Sequence, residues 1–183
     1  LINLSDGPGQ FVSGGKFGNG YASDVFAEVN TSGDFTAEAW FVWNGTDTDT
    51  EIARFTENAG GAIYTMFAQA DGSFVFNDLI SSTVFFSKPP GTFTMGVYHH
   101  VVIQKDSTTL KLMLDGVLMG TVTASVSAPG TAEWGVWTNF IDGVTDEIRI
   151  TAAARYSPPF SPPTAQFDAF GPGGTTAEGD GAA

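Results

Sequence analysis

The clearest structural signal in the chain lies at residues 110–122, which read LKLMLDGVLMGTV. Two largely apolar segments, 110–114 and 117–122, flank the dipeptide Asp115-Gly116. Both residues of that dipeptide tolerate the positive φ angles of a two-residue hairpin turn. We therefore predict two antiparallel strands that are joined at Asp115-Gly116.

The same arrangement recurs along the chain, with glycine-containing turn dipeptides between β-rich segments. Residues 64–77 read YTMFAQADGSFVFN and predict a second hairpin around Asp71-Gly72. Phe74 and Phe76 share one face of that hairpin because strand side chains alternate. Turn signals at intervals of about 8 to 12 residues are typical of a β-sandwich or barrel. The sequence therefore predicts an all-β fold.

Further strands are predicted where β-branched and aromatic residues concentrate, at Phe35 to Trp43, Tyr98 to Lys105 and Thr145 to Thr151. In the first of these, either the odd-numbered residues that include Phe35 or the even-numbered residues that include Trp40 face the core, and both registers stay open. Helical periodicity is nearly absent. A turn or two of helix is predicted only at Asp24 to Glu28 and at Glu51 to Asn58.

The composition of the chain excludes some classes of binding partner. The chain has 183 residues, 20 acidic and 7 basic side chains, a formal charge of −13 and no cysteine. An acidic chain is repelled by phosphate backbones and anionic lipid, so we expect no nucleic-acid partner and no membrane association. Without cysteine, stability must come from packing. The segment between Lys16 and Arg54 holds seven acids, among them Glu38, and no base, which predicts an outward-facing acidic surface.

The C-terminal part changes character at residues 158–163, which read PPFSPP. Proline lacks a backbone donor and restricts φ, so an extended segment outside the sheets is expected there. Phe160, Phe167 and Phe170 are expected to pin this segment to the body. Residues 171–183 contain mainly Gly, Ala and Thr with two acids. We predict one domain over residues 1–170 and a C-terminal arm over 171–183 that a neighbouring subunit holds.

Five segments, taken in order, resemble the laminin G-like, concanavalin A-like domains. They are GKFGNG at 15–20, FTAEAW at 35–40, YHHVV at 98–102, LMLDG at 112–116 and IDGVTDEIRI at 141–150. The resemblance covers roughly residues 14 to 167 and implies a jelly roll of two packed antiparallel sheets. Residues 154–167, ARYSPPFSPPTAQF, are similar to the closing segment of such domains in virion proteins of tailed bacteriophages.

Because this fold also occurs in glucanases, catalysis has to be considered. The resemblance implies that an enzyme would carry an E-x-D-x-x-E run on one strand, and the chain has none. Asp146 and Glu147 are adjacent and face opposite sides of a strand, so the favoured interpretation is structural: one of them pairs with Arg149 or caps a turn. His99 and His100 also point to opposite faces, which predicts one packed imidazole and one surface imidazole. We expect a protein that is not an enzyme.

The resemblance implies a possible structural or lectin-type Ca²⁺. Such a site would draw on carboxylates in turns, and Asp6, Asp24, Asp142 and Asp146 are the candidates. The alternative is that these aspartates cap turns without a metal.

A glycan site needs an aromatic platform beside hydrogen-bonding groups. The candidates are Trp43 and Trp137 for stacking, with the amides of Asn44 and Asn139 beside them. The alternative is that the tryptophans pack in the core or cover sheet edges, since large aromatic residues dominate sandwich interiors.

Two functions of different classes follow. The first is a structural protein on the virion surface of a tailed phage, a capsid decoration or cement protein or a tail-associated module. It would contact other capsid or tail proteins and form a homo-oligomer or occur in many copies. The alternative is a glycan-binding adhesin or lectin that recognises a host surface polysaccharide. The phage-like ending and the acidic charge favour the first, and the tryptophan pairs favour the second.

Overall fold

The structure is a computed structural model of the chain. The structure describes residues 6–7, 14–16, 22–25, 33–43, 49–57, 63–69, 71–123, 129–134 and 143–164. Side chains are described over 33–43, 65–69, 71–123, 149 and 151–164.

Thirteen strands make up the regular structure of this part of the chain. They are β1 (Asp6–Gly7), β2 (Gly14–Lys16), β3 (Ala22–Val25), β4 (Phe35–Trp43), β5 (Asp49–Glu57), β6 (Ile63–Gln69), β7 (Phe74–Asp78), β8 (Thr83–Lys88), β9 (His99–Asp106), β10 (Thr109–Leu114), β11 (Val117–Thr123), β12 (Pro129–Trp134) and β13 (Gly143–Thr151). The helical turns predicted at Asp24 to Glu28 and Glu51 to Asn58 are wrong for the described residues, which lie in β3 and β5. The described residues contain no helix long and apolar enough to cross a membrane.

The strands form two antiparallel sheets, which confirms the predicted jelly roll. The seven-stranded sheet has the order β1-β2-β13-β4-β9-β10-β11, and the six-stranded sheet has the order β3-β12-β5-β6-β7-β8. Strands distant in sequence pair within each sheet, as β4 does with β9 and β13.

Both predicted hairpins are present. β10 pairs with β11 across Asp115 and Gly116, whose φ angles are 51° and 79°. β6 pairs with β7, and the turn between them places Gly72 at a φ of 79°. The Asp71 carboxylate accepts a hydrogen bond of 2.9 Å from the Ser73 amide, which stabilises that second turn.

The core lies between the sheets, and it decides the register of β4 that the sequence left open. The odd-numbered residues of β4, from Phe35 to Trp43, belong to the core cluster. Phe74 and Phe76 of β7 also face the core, as predicted. The even-numbered residues of β4 point to the opposite side, which we call the outer face of the seven-stranded sheet. They are buried too.

Residues 152–164, which we call the strap, contribute to that second burial, because they contact Thr36 and Glu38. The strap follows β13 directly and contains no strand, as the prolines predicted. It reaches the β10–β11 turn, where the Phe160 amide donates to the Gly116 carbonyl at 3.1 Å. Phe160 is half-buried and stacks on Tyr156, with ring centroids 4.1 Å apart. Phe167, Phe170 and the predicted arm at 171–183 lie outside the described residues.

Candidate functional site

A buried ionic cluster lies between the strap and the seven-stranded sheet, centred on Glu38. Glu38 and His100 come from neighbouring strands and have completely buried side chains, and Glu38 Oε2 lies 3.0 Å from His100 Nε2. Arg149 of β13 donates from Nε to Glu38 Oε1 at 2.8 Å. The Tyr156 hydroxyl, from the strap, donates to Glu38 Oε2 at 2.5 Å. Glu38 therefore links three strands and the strap.

The cluster keeps Glu38 charged in spite of its burial. Burial acts to raise the pKa of Glu38, but the hydrogen bonds from His100 and Arg149, the charge of Arg149 and the hydrogen bond from Tyr156 outweigh it and lower that pKa. Burial and the Glu38 carboxylate raise the pKa of the Tyr156 hydroxyl, which stays a donor. A carboxylate that is held ionised by several donors is a structural anion.

Gln104 and Thr36 fasten the strap backbone to the same face. The Gln104 side-chain oxygen accepts from the amides of Arg155 and Tyr156 at 2.9 and 2.8 Å, and its nitrogen donates to the Tyr156 carbonyl at 2.9 Å. Thr36 donates to the Ala153 carbonyl at 2.7 Å. These bonds satisfy strap backbone groups that no strand pairs. The strap therefore seals the described centre of this outer face.

The outer face of the six-stranded sheet is more open in the part of the chain with described side chains. Phe67 of β6, Val75 of β7 and Ser87 of β8 are opposite one another and form a row across three strands. Phe67 and Val75 are half-buried, and Ser87 is exposed. In the next row, Thr65 donates a hydrogen bond to the Asn77 side chain. A half-buried aromatic ring thus lies on the same face as the Asn77 amide and the exposed Ser87 hydroxyl.

A second polar group lies at the end of the sandwich, next to the β10–β11 turn. His99 Nδ1 lies 2.7 Å from Asp115 Oδ2, and the other carboxylate oxygen of Asp115 accepts from the His100 amide at 2.9 Å. The His99 side chain is 10% exposed and that of Asp115 is 43% exposed. The two histidines point to opposite faces of the sheet, as predicted, with His99 on the core side and His100 on the strap side. The prediction that one of them lies on the surface is wrong, because both residues are buried.

The structure corrects the predicted glycan role of Trp43. Its side chain is 1% exposed and packs edge-on against Phe93 in the core, so it offers no face to a sugar. Trp43 is an odd-numbered residue of β4, and the register that buries Phe35 also buries Trp43. Asn44, Trp137 and Asn139 lie outside the described residues, so their roles stay predictions.

For three of the four predicted calcium ligands, the structure describes the backbone pairing but not the side chain. Asp6 of β1 pairs with Gly15 and Asp146 of β13 with Trp40, both in the seven-stranded sheet. Asp24 of β3 pairs with Ala132 in the six-stranded sheet. Asp142 lies outside the described residues. The described residues hold no group of three or more His, Asp or Glu that could bind a metal ion, and calcium binding stays a prediction.

The cluster around Glu38 bears on two further predictions, the acidic surface and the partner of Arg149. The predicted acidic surface does not include Glu38, which is completely buried. Arg149 pairs with Glu38, a partner that was not predicted from the sequence, and the side chains of Asp146 and Glu147 are not described. The signal that could have found this cluster is the pair of polar residues Thr36 and Glu38 in a strand that otherwise reads as buried.

Two packed antiparallel sheets define a β-sandwich, and sequence comparison gives its family. A laminin G family model described as the concanavalin A-like lectin/glucanases superfamily matches residues 15–157. The chain therefore belongs to this superfamily. No curated protein sequence matches the chain.

Solved structures support the same fold at low sequence identity. NanB, a sialidase of Streptococcus pneumoniae, is 15% identical with a TM-score of 0.61, and the match covers 77% of this chain and 26% of NanB. The CBM40 module of the Ruminococcus gnavus IT-sialidase, bound to α2,3-sialyllactose, is 10% identical with a TM-score of 0.58 and is matched over 78% of this chain and 91% of its own. A heptameric pentraxin of Limulus polyphemus is 14% identical with a TM-score of 0.51, over 77% and 75%. The chain thus spans about a quarter of NanB.

Proposed function

We propose that this chain is a non-catalytic glycan-binding module whose ligand face is the outer face of the six-stranded sheet. The observation that carries the proposal is the contrast between the two outer faces. The strap seals the described centre of one, whereas the other presents the half-buried Phe67 in a row with Val75 and the exposed Ser87, next to the row that holds Asn77. Sugars bind to such surfaces because their apolar ring faces stack on aromatic residues while hydroxyls reach polar neighbours.

Two further observations support a module that binds without catalysis. Glu38, the most buried carboxylate described, is held ionised beneath the strap and has no route to a substrate. The R. gnavus module that shares this fold is bound to α2,3-sialyllactose, and it forms one part of a sialidase. We infer that this chain likewise supplies glycan recognition and not catalysis.

The test is an array of sialylated and neutral oligosaccharides, followed by titration calorimetry with each glycan that binds. The substitution Phe67→Leu keeps an apolar side chain and removes the aromatic face. We expect about fivefold weaker binding, because an aromatic stacking contact contributes on the order of 1 kcal/mol. Phe67→Tyr keeps the ring and should retain affinity.

Val117→Ala is the matched control, because Val117 is a 57% exposed apolar residue on an edge strand of the other sheet. It should leave affinity unchanged. Equal affinity for the wild type and Phe67→Leu would place the ligand elsewhere and contradict the proposed face. If no glycan on the array binds, the glycan-binding function itself is contradicted.

A second proposal concerns where the module acts. We propose that it is displayed on the virion surface of a tailed phage, in many copies or as a homo-oligomer that contacts capsid or tail proteins. The support is the phage-like ending at residues 154–167, whose Arg155 and Tyr156 hold the strap on Gln104 and Glu38. The net charge of −13 fits a surface that does not adhere to packaged DNA.

This location is tested by mass spectrometry of purified particles and by labelling intact particles with an antibody against the chain. The chain is expected in the particle fraction, accessible to the antibody. Its absence from particles, together with failure to bind any isolated capsid or tail protein, would contradict the proposal and leave the glycan-binding proposal intact.

A further inference from the structure

The imidazole of His99 is held between three polar groups at the end of the sandwich. Nδ1 faces Asp115 Oδ2 at 2.7 Å. On the other side of the ring, Nε2 lies 3.0 Å from the Thr94 amide nitrogen and 3.1 Å from the Thr94 carbonyl oxygen. A donor and an acceptor of the same residue therefore compete for one ring nitrogen.

Nε2 of His99 can form a hydrogen bond with only one of these two Thr94 groups at a time. In neutral His99 the proton on Nδ1 is donated to Asp115, and the Nε2 lone pair accepts from the Thr94 N–H. When His99 gains a proton, Nε2 becomes a donor and bonds to the Thr94 carbonyl, and the Thr94 N–H loses its acceptor. The Asp115 bond is retained in both states.

We propose that His99 is a proton-controlled latch that switches the Nε2 hydrogen bond between the Thr94 amide and the Thr94 carbonyl and so reorients the backbone at Thr94 and Met95. This inference does not depend on the proposed glycan function. It assigns a conformational role to a histidine that the proposed binding face does not use.

The surrounding contacts confine the movement to those two residues. On one side, the amides of Thr92 and Phe93 donate to the Gly72 carbonyl. On the other side, the Gly96 amide donates to the Trp43 carbonyl at 2.8 Å. The side chain of Met95, which is 45% exposed, lies between the two anchors, and Val97, 49% exposed, lies just beyond. Protonation therefore changes how this apolar loop is presented to solvent.

Asp115 is the charged group that faces His99 among the described residues. Phe41 of β4 and Phe93 of the loop pack against the ring and carry no charge. Burial acts against the charged imidazole, but the hydrogen bond and charge of Asp115 and the Thr94 carbonyl outweigh it, so the pKa of His99 is raised. The His100 amide fixes the orientation of Asp115.

The experiment is an NMR titration of the full chain from pH 5 to pH 9, about 1.5 units below and 2.5 units above the ordinary histidine pKa of ~6.5. It follows the ring of His99 and the amides of Thr94, Met95 and Gly96. The chain has two histidines, and His99→Gln identifies the resonances of His99 by their loss. We expect the Thr94 amide to titrate with the same midpoint as the ring and to become less protected from hydrogen exchange in the protonated state. Gly96, which is anchored to Trp43, should change little.

Asp115→Asn is the second variant, because asparagine tolerates the positive φ of this position. It removes the charge while keeping an acceptor, so the common midpoint of the ring and of Thr94 should shift to lower pH. A Thr94 amide that does not titrate, or that titrates unchanged in His99→Gln, overturns the proposal. So does a Thr94 midpoint that stays in place when the ring midpoint shifts in Asp115→Asn.

Discussion

Glu38 shows how one residue can be charged and structural at once. Removing a carboxylate from water is costly, and the cost is offset only when several donors surround it. Here His100, Arg149 and Tyr156 supply those donors from two strands and the strap. Each partner is itself largely buried, so the loss of one charge would leave the others without compensation.

Glu38→Gln should therefore be strongly destabilising. It keeps the shape of the side chain but leaves Arg149 without its buried counter-ion, and breaking a buried pair in this way costs about 3 to 5 kcal/mol. Guanidinium unfolding at neutral pH measures the effect.

Asp106→Asn is the control for Glu38→Gln. Asp106 pairs with Lys111 at 2.8 Å, but its side chain is 46% exposed. Exposed pairs contribute about 0 to 1 kcal/mol. Equal losses for the two variants would show that the Glu38 cluster adds little to stability.

At the scale of the element, the strap depends on a close approach to the β10–β11 turn. A Cβ atom on Gly116 would lie 1.8 Å from the Phe160 carbonyl oxygen, and the φ of Gly116 is 79°. The glycine is therefore required for two reasons, the backbone conformation and the room for the strap. Gly91 has a similar φ of 75° but nothing within 4 Å of a Cβ.

Comparing Gly116→Ala with Gly91→Ala separates these two reasons. Gly91→Ala should cost about 1 to 2 kcal/mol, the penalty for a left-handed L-residue. Gly116→Ala should cost clearly more, because the strap must also move away from the turn. In Gly116→Ala, the Phe160 amide should become less protected from hydrogen exchange, because it loses its bond to the carbonyl of residue 116. Equal costs and an unchanged Phe160 would contradict the role given to the strap.

At the scale of the whole molecule, the pH dependence of stability receives contributions from carboxylates with lowered pKa values and from a histidine with a raised pKa. Glu38 and Asp115 have lowered pKa values. Burial acts to raise the pKa of Asp115, but the hydrogen bonds from His99 and the His100 amide and the charge of His99 outweigh it. Glu38 stabilises the fold above its ordinary pKa of 4.5, and Asp115 does so above 3.8. This stabilisation is lost as the pH falls through their lower pKa values in the folded state. His99 has a raised pKa, so its contribution is present below 6.5 and is lost as the pH rises through the higher folded value.

The free energy of unfolding should therefore be greatest between pH 4.5 and 6.5, the window set by Glu38 and His99. Denaturant unfolding across the pH range measures it. Glu38→Gln should flatten the profile below pH 4.5, and His99→Gln should flatten it above pH 6.5. A wild-type profile that rises through and beyond neutrality would contradict the assignment to His99.

The sequence predicted the elements whose signal is local. The hairpins at Asp115-Gly116 and Asp71-Gly72 depend on positive φ angles at a few adjacent residues, and β4 runs from Phe35 to Trp43 as its β-branched and aromatic content indicated. The helical turn predicted at Glu51 to Asn58 was wrong for residues 51–57, because β5 is stabilised by pairing with β6 and β12, which are distant interactions.

By itself, then, the amino-acid sequence determined the all-β class, the hairpins, the proline-rich end outside the sheets and the resemblance to the superfamily to which the chain belongs. The tertiary structure alone decided that Trp43 faces the core and that Glu38 is buried beneath the strap. The physical reason is that alternation along a strand specifies two faces without specifying what covers each. In β4 one face is covered by the opposite sheet and the other by a segment more than 110 residues away in sequence, as the Glu38–Tyr156 bond shows.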